Sequence, residues 1–544
     1  MIYYLIRHLF QPQGPFVYQF LGVPFALPPV KKLRFMPPEP LTKDYYGKKC
    51  FKATKPAKAC FSLSQLRGFP GVDDWRANPK DMSEDCLQLN MWLPLNKTGA
   101  VLVHIYDGSN KVGSPSLPVY NGSVLADVSG AIVINLNYRL GPFGFGRFKD
   151  GKVVPGNMGL LDQQMALQWI YDNVENFGGK REKITLFGHG EGASDATAHM
   201  FSKVSKEYFT RVIAISGTVL NKWSLEKTAI IEDNFKSLMK KLKCTDKDPK
   251  KQLKCMQSKK VDEIIKHARK IRNSKQPLFR NPFMAVDNDG NFFKGSVKKL
   301  LNDGNYKIST DVLLGRTTDE ITMYMPEFLS SKKYGCPFNP KLGFESEKNQ
   351  CKMNKKQFTN SVKFFMKQLG IKNKYFSQIV KMYKSFQGYR QKAARIFSEF
   401  MYDCDFAEFG MKVSPFVPEN KDIYFYVLGK RNPSILFPKW MGVTHSSQKY
   451  YMFGHPFLYP KAYRKDAPKE QEFSMQLMKI FGDFAYNAQL SIGLPKFQTK
   501  LWPRFNKKRN LGVFIDRTLT NGEEYQKINI YNNRCEKIKS IMRK

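Results

Sequence analysis

Apolar residues in this chain come in short unbroken runs rather than in long polar-apolar alternation. Ala100-Val-Leu-Val-His-Ile-Tyr106 and Ala131-Ile-Val-Ile-Asn135 read as buried strands, because a strand covered on both faces has no need of polar alternation. Ile423-Tyr-Phe-Tyr-Val427 reads as another strand, and Lys183-Ile-Thr-Leu-Phe187 is a short apolar strand that runs into the turn Gly188-His-Gly-Glu-Gly192 and then a helix. Leu161, Met165 and Trp169 recur at helical spacing, which predicts a helix with that stripe against the core. The proline-rich segment from Phe20 to Glu39 predicts irregular structure, since proline removes ladder donors. Beyond Ile215-Ser216-Gly217 the chain turns basic and helical. No apolar run reaches the roughly 18 residues of a membrane span.

Composition narrows the class. Of 544 residues 42% are hydrophobic and 14% aromatic, enough for a large core, which excludes disorder. Lys plus Arg number 88 against 47 acidic residues, a formal charge of +41. Such a field attracts polyanions without specifying a fold. No nucleic-acid reading motif accompanies it, so a polyanionic glycan or a protein is the expected partner and nucleic acid is not. Nine cysteines and the sequons Asn96-Lys-Thr98 and Asn121-Gly-Ser123 fit an oxidising, secretory route. The opening Met1-Ile-Tyr-Tyr-Leu-Ile-Arg-His8 is a poor signal peptide, with a charge early and no small-residue cleavage site.

The chemistry centres on the turn after Phe187. A strand feeding a helix through small residues is how an α/β-hydrolase presents its nucleophile, as G-x-S-x-G. Here the central residue is Gly190, which has no atom able to attack a carbonyl. The surrounding runs resemble the type B carboxylesterase and cholinesterase family: Phe20-Leu-Gly-Val-Pro-Phe25, Ser83-Glu-Asp-Cys86-Leu-Gln-Leu-Asn90, Asn137-Tyr-Arg-Leu-Gly-Pro-Phe-Gly-Phe145, Gly156-Asn-Met-Gly-Leu-Leu-Asp162 and Phe177-Gly-Gly179. The resemblance covers nearly the whole chain. It implies an α/β-hydrolase fold, a large central and mostly parallel sheet flanked by helices, as a single domain over residues 1–544, with the natural signal peptide and first strand expected to be missing.

The resemblance also assigns positions. Gly190 stands at the nucleophile, Glu320 at the triad acid and His445 at the base. Gly108, Ser109 and Glu191 stand at the oxyanion donors, with Asp107 and the Glu191 carboxylate expected to set negative charge against an oxyanion. Ser194, a turn into the helix, is expected to face packing rather than replace the nucleophile. Trp75 and Tyr120 are candidates for holding a small hydrophobic or cationic ligand, the indole by cation–π contact. The disulfides that the resemblance implies are Cys60–Cys86, Cys244–Cys255 and Cys404–Cys535, leaving Cys50 unpaired, while Cys336 and Cys351, which flank an insertion, are candidates to pair with each other. Neither a metal nor a cofactor is implied.

These positions lead to a secreted, catalytically inactive member of the family that acts through binding, as neuroligins and glutactin do on this scaffold. One alternative keeps the gorge as a ligand site. Another is an active ester hydrolase, with an unusual nucleophile or a sequence error at Gly190.

Overall fold

The computed structural model describes residues 17–47, 51–63, 75–492, 500–521 and 525–543. Its centre is a ten-stranded sheet. In chain order the strands are β1 (Val17–Pro24), β2 (Gln88–Pro94), β3 (Val101–Ile105), β4 (Ile132–Leu136), β5 (Ile184–His189), β6 (Arg211–Ile215), β7 (Asp311–Thr317), β8 (Ile423–Leu428), β9 (Leu511–Ile515) and β10 (Gln526–Asn529). Across the sheet they run β1-β2-β4-β3-β5-β6-β7-β8-β9-β10. From β4 to β9 every neighbouring pair is parallel, while β1, β2 and β10 join antiparallel at the two sides. The sheet is therefore mixed, with a parallel middle, as the resemblance implies.

Every residue of β3, β4, β6 and β8 is buried, which explains why their sequences carry no alternation. The order reverses where β3 sits between β4 and β5. In open parallel sheets ligands bind beyond the carboxyl ends of strands at such a reversal. Asp107, Gly190, Ser216 and Glu320 all follow directly on the ends of β3, β5, β6 and β7. A second apolar cluster, built from residues 321–404 and 535–541 and including Ile321, Met325 and Tyr402, packs beside those strand ends.

Two sequence expectations change. The proline-rich run begins as regular structure, since β1 pairs with β2 from Val17↔Pro94 to Pro24↔Gln88, with an irregularity between Phe20 and Val23 that accommodates Leu21-Gly22. In the helix Met158–Asn173, here α1, Leu161, Met165 and Trp169 pack against the core as expected, but only in part. The fully buried face beside them is Leu160, Gln163, Leu167 and Ile170. Polar residues turn inward because they find partners: Asp162 binds Arg139 at 2.7 Å, and Gln163 donates to Asp195 at 2.7 Å. Apolarity alone cannot register a face completed by paired polar groups.

All four disulfides are present: Cys60–Cys86, Cys244–Cys255, Cys336–Cys351 and Cys404–Cys535. Cys50 lies outside the described residues. Among the described residues no helix is long and apolar enough to cross a membrane.

Candidate functional site

Strand β5 ends at His189, the chain turns at Gly190 and the helix α2 (Glu191–Ala198) begins. Gly190 has φ 55° and ψ −119°, a strained conformation that glycine adopts most easily. Its N–H donates to the Ile215 carbonyl at 2.8 Å, tying the turn to β6. The flanking glycines answer to packing: a Cβ on Gly188 would meet the Gly192 backbone at 2.2 Å, and one on Gly192 would meet the Ile105 carbonyl at 2.0 Å. At Gly190 the obstacle is of another kind. A Cβ there would lie 2.5 Å from Asp107 Oδ2. The space a nucleophilic side chain needs is taken by a carboxylate. Ser194 is buried within α2, its N–H donating to the Gly190 carbonyl at 3.0 Å.

Asp107 leaves the end of β3 and points under the turn. Its Oδ1 accepts the N–H groups of Gly108 at 2.7 Å and Glu191 at 3.0 Å. These are two of the donors that the resemblance assigns to an oxyanion. The carboxylate thus sits on those donors rather than merely beside them. Ser109, the third assigned position, is exposed, and its carbonyl accepts from Asn281 at 2.6 Å. Burial, with Asp195 and Asp107 nearby, raises the pKa of the Glu191 carboxyl well above the usual range and works against the second charge expected of it, and Asn110 donates to it at 2.9 Å.

His445 and Glu320 come together from loops after β8 and β7. His445 Nδ1 lies 2.7 Å from Glu320 Oε2, and the other Glu320 oxygen accepts from Ser216 Oγ at 2.7 Å and Thr317 N–H at 2.6 Å. Gln448, where the family has an acid, donates to Ser216 at 3.2 Å and extends this network. On the far side of the ring, His445 Nε2 is 3.5 Å from Asp107 Oδ2. Burial pulls the His445 pKa down, but Asp107 and Glu320 outweigh it and carry it up to about 9. Burial likewise works against ionised Asp107, and its contacts with His189 and His445 hold its pKa well below the usual range. The result is a buried imidazolium between two carboxylates. His189 points at the same carboxylate, Nδ1 3.6 Å from Asp107 Oδ2, and burial lowers its pKa to about 4.

The aromatic positions hold a cation of the chain's own. Trp75 is 7% exposed, and Lys449 Nζ stands 3.8 Å from its ring centroid, 5.4 Å from that of Tyr450 and 5.9 Å from that of Tyr120. Tyr120 is buried against His104 and Phe453. Lys449 is a residue that the sequence reading missed; its only signal is its place four residues after His445. Asp107 and His189 lie in stretches that the sequence reading singled out, but their convergence was not visible there. Of the sequon residues, Asn96 is exposed, while Asn121 is half-buried with its Oδ1 accepting from Ser123 N–H at 3.0 Å.

Known proteins share this framework. The chain is 33% identical over 493 residues to a cholinesterase of Mus musculus, covering 88% of this chain and 77% of that protein. It is 32% identical over 496 residues to an acetylcholinesterase of Bungarus fasciatus, covering 89% and 77%. It is 30% identical over 516 residues to acetylcholinesterase 4 of Caenorhabditis briggsae, covering 90% and 81%. The profile of the carboxylesterase family matches residues 8–536. With that match and a mixed sheet whose strand ends carry the elbow, the acid and the histidine, this chain belongs to the carboxylesterase family.

Proposed function

We propose that this chain is a non-catalytic carboxylesterase-fold protein that works outside the cell by binding, through its surface, a protein or a polyanionic glycan. The observation that carries the reading is at Gly190, where the nucleophile is absent and the Asp107 carboxylate holds its space, 2.5 Å from any added Cβ. Losing the nucleophile of a Ser-His-acid enzyme costs roughly a millionfold in turnover. Here two oxyanion donors are also engaged by Asp107. Glu320 and His445 persist on this reading because they form a buried, charged and hydrogen-bonded unit with Asp107, which has a structural reason to stay.

The extracellular part of the proposal is supported by four disulfides and the exposed sequon at Asn96. The polyanionic partner is supported by the charge of +41. Lys449 over Trp75 weighs against the alternative of a small cationic ligand at that ring.

The test is treatment of the purified chain with a fluorophosphonate probe and a simple activated ester. No stoichiometric labelling and no burst are expected; a trappable covalent adduct would overturn the reading. For the partner, retention on immobilised heparin is expected to fall as salt rises, because screening shortens the reach of surface charge. Retention indifferent to salt removes the polyanion from the proposal.

A further inference from the structure

Around Asp107 three buried ligand atoms converge. Asp107 Oδ2 lies 3.5 Å from His445 Nε2 and 3.6 Å from His189 Nδ1, and the three atoms fall within 4.8 Å of one another. Nitrogen and oxygen ligands at about 2.0–2.1 Å around a tetrahedral ion stand roughly 3.3–3.4 Å apart, so two of these separations are near what one shared ion sets.

The remaining atoms of the same side chains are oriented for that task. Asp107 Oδ1 is held by the N–H groups of Gly108 and Glu191, which leaves Oδ2 to act as a single-oxygen ligand. His445 Nδ1 is held by Glu320, which leaves Nε2 facing inward. A ligand imidazole whose other nitrogen bonds a carboxylate is the outer arrangement that fixes ring orientation at metal sites. His189 Nε2 is buried with no hydrogen-bond partner. Among the described residues, His189 Nδ1, the atom facing Asp107, contacts only the Ser446 hydroxyl at 3.0 Å besides the carboxylate.

We propose that Asp107, His189 and His445 form a site for one divalent transition ion of the zinc class, which would take the place of the proton on His445 Nε2, with Glu320 as the positioning residue behind His445. Ser446 Oγ, 3.0 Å from His189 Nδ1 and 3.4 Å from Asp107 Oδ2, borders the fourth position. Two imidazoles and one carboxylate favour zinc, cobalt or a similar ion over magnesium or calcium, which take all-oxygen shells. The ion would join the ends of β3 and β5 to the loop bearing His445. It is independent of whatever partner the surface binds.

The test uses the full chain, stripped with a chelator and equilibrated with Zn²⁺, since buried ligands load slowly. One ion per chain and a raised melting temperature are expected, with no shift from Mg²⁺. Asp107→Asn and His189→Gln should each abolish retention of the ion, while Glu320→Gln weakens it roughly 10- to 100-fold. Loading wild type with Co²⁺ gives a reading that does not depend on any variant folding: the visible absorption of a four-coordinate nitrogen-oxygen site is expected. Failure of wild type to retain one ion, equal retention by both ligand variants, or a six-coordinate Co²⁺ spectrum overturns the proposal.

Discussion

Asp107 and Lys449 are buried residues of opposite charge, and they are held by different means. Asp107 is fixed by backbone N–H donors at 2.7 and 3.0 Å and by an imidazolium. Lys449 rests on the ring of Trp75, with Tyr450 and Tyr120 farther off. Charge-assisted hydrogen bonds to fixed backbone are directional and strong, whereas a cation over a ring gains about 0.5 to 2 kcal/mol. The anionic residue is therefore the rigid one. The cationic residue is where this protein could be opened with least damage to its fold.

A large expected effect tests the anionic residue. Asp107→Asn keeps the shape but weakens the charge-assisted bonds from the Gly108 and Glu191 N–H groups and leaves His445 with Glu320 alone, a loss of about 2–3 kcal/mol. Denaturant unfolding measures this; a loss no greater than at Lys449 would erase the contrast. The same variant has a pH signature. With the His445 pKa raised to about 9 from 6.5, its stabilising contribution is full below pH 6.5 and lost as pH climbs through 9. The stability gap between wild type and Asp107→Asn should narrow over that window. In a histidine NMR titration the His445 midpoint should fall in the variant, and an unmoved midpoint breaks the link to Asp107.

Comparable in size is Gly190→Ser. Strain at φ 55° and the close carboxylate together predict a loss of roughly 2–4 kcal/mol and no fluorophosphonate labelling. Combined with Asp107→Gly, the space and both donors are released, and labelling should appear. Equal labelling of the single and double variants would show that Asp107 blocks nothing.

The smallest effect belongs to the cationic residue. Lys449→Met should change stability by no more than about 2 kcal/mol, since the cation–π gain is lost while the cost of burying an ammonium is relieved. Lys449→Ala should instead admit a small quaternary ammonium, detectable by quenching of tryptophan fluorescence, where wild type shows none. Ammonium binding by wild type at the same concentration would mean that Lys449 does not occupy the ring.

The strands were legible because continuous burial writes itself as continuous apolarity, as in Val101–Ile105 and Ile423–Leu428. The fully buried part of α1 was not, because Asp162 and Gln163 are buried through partners that no local pattern reveals. The glycine at position 190 and the resemblance of the segments bearing Glu320 and His445 to family runs could be read from short motifs.

What the sequence pointed to by itself was the family resemblance, the cysteine pairs that it implies and the glycine at position 190, since each rests on residue identity at a recognisable place. The approach of Asp107 to Gly190, the burial of Glu191, the seat of Lys449 on Trp75 and the approach of His189 were decided by the tertiary structure. Asp107 and Glu191 are 84 positions apart, and only the neighbouring ends of β3 and β5 bring a carboxylate and its donor within 3.0 Å. Charge and hydrogen bonding act over ångströms in space, and the order of residues along the chain does not record that distance.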